Sequence, residues 1–199
     1  MDEQYNLEFC FKGDRTYVHG TDIYNKIIKN LAQKEVDYIN IDFSFHGVVK
    51  NNILISSIKP EDEESLKLVY KYVDKEKQKR IFYGVETNEI ITCRYKYPEE
   101  DIFSVCHIDK EKEQIELSLN TSYSFIENIV AMNKFLLEQL FPDAKGKWYF
   151  TRLQLSEIID ENSEYPLRLR LKNNFNFKLT KSEIFLHDKL VGFIYFSLV

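Results

Sequence analysis

A chain of 199 residues that is 44% hydrophobic and 15% aromatic, with 6 Gly and 4 Pro, holds enough apolar material for a packed core and lacks the composition of a disordered polymer. Its net charge of −5 argues against nucleic acid or another polyanion as the main partner, because phosphate binding needs concentrated Lys and Arg. The cysteines Cys10, Cys93 and Cys106 show no paired spacing, which argues against a disulfide framework and makes a reduced, cytoplasmic compartment the simplest expectation.

No CxxC or Cys/His metal spacing occurs, so no metal or redox cofactor is implied. The start, Met1-Asp2-Glu3-Gln4, is acidic and lacks an apolar leader region. No apolar run approaches the ~20 residues of a membrane span, so a membrane is not expected as a partner.

Residues 5–11 alternate, with Leu7, Phe9 and Phe11 on one face and Asn6, Glu8, Cys10 and Lys12 on the other. That pattern predicts a half-buried strand, broken by Gly13-Asp14. A helix over 21–33 follows. Thr21 can cap it, and Asp22 sits where the helix dipole favours negative charge. Ile23, Ile27 and Leu31, flanked by Tyr24 and Ile28, make its apolar stripe. A long alternating strand is predicted over 38–49, and further strands over 53–58, 66–73, 80–85 and 89–97. Pro98-Glu99-Glu100-Asp101 is the expected join between two halves, 1–98 and 99–199.

Past the join, 102–108 and 114–119 read as a hairpin. Ser124 and Glu127 form a capping box that opens a second helix over 124–141, apolar around much of its circumference and therefore buried. Pro142 ends it. Strands are predicted over 148–159, 167–171, 175–183 and 189–199. The last of these, apolar on both faces, should be central in a covered sheet. The second half thus repeats the plan of the first, and the closing segments 88–95 and 188–195 correspond. A repeat of helix and sheet can set the whole fold.

Two sheets that each curl around one buried helix resemble the hotdog superfamily, in its double-hotdog arrangement. The resemblance implies an α+β fold: two curled antiparallel sheets, each wrapping a central helix, in one compact body. In many hotdog enzymes a His, Asp or Glu at the entry to the central helix does the chemistry. Val18-His19-Gly20-Thr21-Asp22-Ile23-Tyr24-Asn25 is similar in position and residue type. It matches neither the dehydratase His-Phe-Pro-Gly pattern nor the thioesterase Gly-His-Val-Asn-Asn pattern. The resemblance implies a thioesterase or 3-hydroxyacyl dehydratase acting on thioesters of coenzyme A or acyl carrier protein. The rival expectation is a non-catalytic binding or protein-interaction module on the same fold. Either would be a monomer or a homodimer.

His19 is the candidate acid/base, since histidine titrates nearest neutral pH, and Asp22 would orient it or share the proton work. N–H groups near Gly20 and Thr21 would hold the thioester oxygen. Arg15, Tyr17 and Tyr24 complete the expected substrate-binding set, and Cys10 is a possible neighbour of His19. In the second half, Asn120, Ser122, Tyr123 and Asn128 are the polar candidates near the helix start.

Other candidates have simpler readings. Asp42, Ser44 and His46 alternate along one strand face, roughly 6.5–7 Å apart, which is too far for a hydrogen-bonded triad. His107 reads as a core residue and His187 as a solvated turn residue. The basic face Arg168, Arg170 and Lys172 reads as a solvated edge.

Overall fold

The computed structural model describes residues 3–32, 39–159 and 166–199. They group into two compact units, Met1–Pro98 and Glu99–Val199. The predicted helix end at Gln33 and strand start at Tyr38 lie outside the described residues.

In the first unit, β1 (Gln4–Leu7), β3 (Ile39–Phe45), β4 (Asn51–Ser56), β5 (Leu66–Val73) and β6 (Lys79–Ile90) form antiparallel ladders in the order β1-β4-β6-β5-β3. Alternation explains the burial. Ile41 and Phe43 of β3, Leu68 and Tyr70 of β5, and Phe82 of β6 are buried. Phe43, Tyr70 and Phe82 stack with ring centres 5.4 and 4.9 Å apart. Each such ring contributes about 2 kcal/mol by leaving water. Helix α1 (Gly20–Ala32) buries Ile23, Tyr24, Ile27 and Leu31 along one stripe, and the Tyr24 ring lies 5.0 Å from that of Phe43. Asp42 and Ser44 are half-buried and His46 is exposed, as a polar sheet face requires.

Two departures in this unit matter for the site. The strand expected over 5–11 is interrupted: it resumes as β2 (Phe11–Lys12), which pairs in parallel with β7 (Arg94–Tyr95) as a separate ladder. The alternation that would turn Lys12 outward is therefore reset, and Lys12 is fully buried. In addition, Cys10 and Cys93 form a disulfide. This corrects the expectation of unpaired cysteines, and with it falls the cysteine argument for a reduced compartment. It also removes Cys10 as a reactive thiol beside His19, because a disulfide sulfur has no thiolate to offer. Cys106 is the free thiol, and burial pushes it up to about 11.

In the second unit the order is β10-β13-β12-β11-β9-β8, antiparallel throughout: β8 (Cys106–Asp109), β9 (Gln114–Leu117), β10 (Trp148–Glu157), β11 (Leu167–Asn174), β12 (Thr180–Leu186) and β13 (Lys189–Leu198). Helix α3 (Phe125–Leu140) opens on the capping box, with the Ser124 N–H donating to Glu127 Oε2 at 2.9 Å. It is buried on nearly every side and packs on β9, β11 and β13. The apolar β13 runs between β10 and β12, as its two-faced pattern predicts. At Gly192 a Cβ would stand 2.1 Å from the Gln154 carbonyl oxygen, so the close approach of β10 and β13 needs glycine.

The expected strand over 102–108 is partly helical: α2 (Glu100–Phe103) precedes β8. Glu100 and Asp101 at its first turn suit the helix dipole, Ile102 is buried, and the Phe103 ring stacks 4.7 Å from that of Phe135. His107 is exposed on β8 and is not the core residue expected. The ladders of each unit are open, not curled as expected. The architecture is α+β and strand-dominated, and among the described residues the ladders within each unit are antiparallel apart from β2–β7.

Candidate active site

The entry to α1 gathers a buried polar cluster. Helix α1 begins at Gly20, one residue before the predicted cap, and the His19 carbonyl accepts from the Asp22 N–H at 3.0 Å. Thr21 is thereby drawn into the first turn, fully buried, and its hydroxyl turns to side chains. Thr21 Oγ1 lies 2.7 Å from His19 Nδ1 and accepts from Lys12 Nζ at 3.0 Å. Lys12 Nζ also donates to Asp22 Oδ1 at 3.2 Å and stands 4.0 Å above the Tyr97 ring. The Tyr95 hydroxyl donates to the same Asp22 oxygen at 2.8 Å. Asp22 Oδ2 is buried and makes no hydrogen bond among the described residues.

His19, Thr21 and Asp22 therefore come together, but Asp22 does not touch the imidazole. Thr21 is the residue that contacts His19 Nδ1, and Asp22 is held by Lys12 and Tyr95. Arg15 lies at the margin, its guanidinium 5.6 Å from the Tyr97 ring centre. Tyr17 is half-buried nearby. Tyr24 is corrected: it faces the core, 4% exposed, and burial pushes its phenol well above the ordinary value of 10. It is a packing residue.

An open groove of about 390 Å³ adjoins the cluster, lined by residues that include Asp22, Asn25, Lys26, Tyr95 and the Cys10–Cys93 disulfide. Of the predicted site residues Asp22 alone is in its lining; His19 is not, and is 8% exposed. Lys12, Tyr95 and Tyr97 are the members that sequence reasoning missed. Tyr95 and Tyr97 lie more than 70 residues from Asp22 in the chain; Tyr95 arrives through β7, inside the strand predicted over 89–97, and no local pattern gives the pairing of β7 with β2. A lone lysine amid the apolar residues around Phe9 and Phe11 was the one available signal.

Among the described residues the second unit shows no comparable cluster. Asn128 is buried with Thr121 Oγ1 donating to its Oδ1 at 2.9 Å, a structural role at the start of α3. The Tyr123 hydroxyl donates to Asp101 at 3.1 Å. The basic face of β11 is neutralised: Arg170 donates to Glu183 at 2.7 Å, Lys172 stands 3.3 Å from it, and Arg168 reaches Asp188 at 3.2 Å. Among the described residues no group of three His, Cys, Asp or Glu could hold a metal ion, and no helix is long and apolar enough to cross a membrane.

No protein-family model matches the chain, and no curated protein matches it in sequence. Comparison of structures defines the fold class: this is a hotdog-fold protein. The pyran synthase domain from module nine of the sorangicin pathway aligns with a TM-score of 0.54 at 9% identity, covering 100% of this chain and 93% of that one. The dehydratase domain of PpsC from Mycobacterium tuberculosis, in complex with C12:1-CoA, aligns with a TM-score of 0.52 at 6% identity, covering 100% and 94%. The tesB protein of Mycobacterium avium subsp. paratuberculosis gives 0.51 at 6% identity, covering 97% and 90%.

Proposed function

We propose that the chain is a double hotdog, with one hotdog unit in residues 1–98 and the other in 99–199, and that it is an enzyme of acyl thioesters carried by coenzyme A or acyl carrier protein. The observation that carries this reading is the buried Lys12–Thr21–His19–Asp22 cluster beside an open groove. Such a cluster is costly to assemble, because each desolvated polar group must find a partner. The fold likeness supports the substrate class, since one hotdog neighbour is a dehydratase domain holding C12:1-CoA.

The proton chemistry belongs to His19 and Asp22. A dehydratase step removes a proton from the carbon beside the thioester carbonyl and returns one to the departing hydroxyl. A thioesterase step instead activates water against the carbonyl. Both need a proton acceptor at the groove, and this reading gives that role to Asp22, a residue of its lining. The first N–H groups of α1, at Gly20 and Thr21, would hold the thioester oxygen.

A binding module is the second reading, and the burial of His19, outside the groove's lining, favours it. The two separate in one assay set. Purified protein is offered a panel of acyl-CoA and 2-enoyl-CoA thioesters, and released thiol and hydration are followed. The enzyme reading expects turnover that falls by about 100-fold or more in Asp22→Asn and His19→Ala. Saturable binding of the same thioesters without turnover establishes the module instead.

A further inference from the structure

We propose that Lys12 is a positioning residue that fixes the tautomer of His19, so that Nδ1 accepts and Nε2 carries the ring proton; this rests on the reading of His19 and Asp22 as the reacting pair. The ammonium of Lys12 is fully buried, and three of its contacts match its three N–H donors: Thr21 Oγ1 at 3.0 Å, Asp22 Oδ1 at 3.2 Å and the Tyr97 ring at 4.0 Å. A buried cation survives only with such partners. Its position decides where the Thr21 proton goes. Oγ1 accepts from Lys12, so its single proton is left to donate. Two acceptors are in reach, His19 Nδ1 at 2.7 Å and Asp22 Oδ1 at 3.5 Å. The second already takes N–H from Lys12 and O–H from Tyr95. The proton therefore goes to Nδ1.

The opposite arrangement has Nδ1–H donating to Oγ1. It turns the Thr21 proton to the longer contact and aims a second N–H donor at an oxygen that already holds an ammonium. Among the described residues, the charged or titratable groups of this cluster are Lys12 from β2, Arg15 from the turn after it, Asp22 from α1, Tyr95 of β7 and Tyr97 just after it, whose ring centre lies 6.4 Å from that of His19. With Nε2 protonated, His19 acts as a hydrogen-bond donor toward developing negative charge. The proton acceptor is then Asp22, the member that lines the groove. The proton taken from substrate moves to the Asp22 carboxylate, and no oxidant or reductant is involved.

Nitrogen-15 NMR of histidine-labelled protein at neutral pH reads the tautomer directly. His19 of the intact protein is expected as the Nε2–H form. Thr21→Val, which keeps the Lys12–Asp22 pair, is expected to release the tautomer to a mixture. It should also lower kcat by about 100-fold with KM within about twofold. Lys12→Met is expected to do the same. Where it fails to fold, the Lys12→Met/Asp22→Asn double variant removes both buried charges together and still reports the tautomer. An Nδ1–H form in the intact protein, or a tautomer unmoved in Thr21→Val and in the lysine variant, overturns the assignment. If the intact protein turns over no thioester, the functional reading fails, while the NMR result still decides the role of Lys12.

Discussion

Glu183 shows how a single side chain settles the meaning of a charged strip. Its burial alone would raise the carboxyl, yet hydrogen bonds from Arg170 and Lys172 outweigh that effect and hold it below its ordinary value of 4.5. The basic strip of β11 is thus a structural ladder, and no phosphate is needed to neutralise it. The depressed acid contributes stability that is present above pH 4.5 and lost as pH falls through the lower folded-state value. Thermal unfolding midpoints taken from pH 5 to pH 2 are expected to fall less steeply in Glu183→Gln than in the parent; equal slopes would show that the pair is energetically idle. Lys12 carries the complementary lesson. A lysine on an alternating stretch reads as solvated, and it becomes a site residue only because the strand stops at Leu7 and restarts at Phe11. Tyr24 erred the other way: its place on the apolar stripe already marked it for the core, whatever its neighbours suggested about substrate.

Among the elements, α3 was the most legible. Its capping box, its apolar circumference and its terminating proline act within a few residues of each other, so local physics suffices. The strand pair β2–β7 was the least legible, because two residues from each end of the unit meet in parallel with no turn between them. The disulfide flanks that pair: Cys10 precedes Phe11, Cys93 precedes Arg94, and the next residues, Lys12 and Tyr95, both hold Asp22. With a sequence separation of 83, the cross-link removes much freedom from the unfolded chain, worth about 4.5 kcal/mol in the chain-entropy account. Urea unfolding is expected to shift to lower midpoint when dithiothreitol is present. The Cys10→Ser/Cys93→Ser variant should show that lower midpoint with or without reductant. A parent protein indifferent to reductant would contradict the stabilising role.

At the scale of the whole chain, element order was legible because hydrophobic period alone specifies most of the strands and both long helices. Likeness to hotdog structures at 6–9% identity fits that logic: the fold is shared while residue identity is not. The site was legible only where it is local. His19, Gly20, Thr21 and Asp22 announce a helix start with polar equipment, whereas Lys12, Tyr95 and Tyr97 join through long-range packing. Fold alone does not set chemistry, so the claim of thioester chemistry stands on this cluster and its groove.

The most direct test is a crystal structure with a non-hydrolysable acyl-CoA analogue. Its acyl-carrying carbon should lie in the groove beside Asp22, with the carbonyl oxygen within hydrogen-bond distance of the Gly20 or Thr21 N–H. An analogue bound elsewhere, or a groove left unoccupied at saturating concentration, would contradict the account.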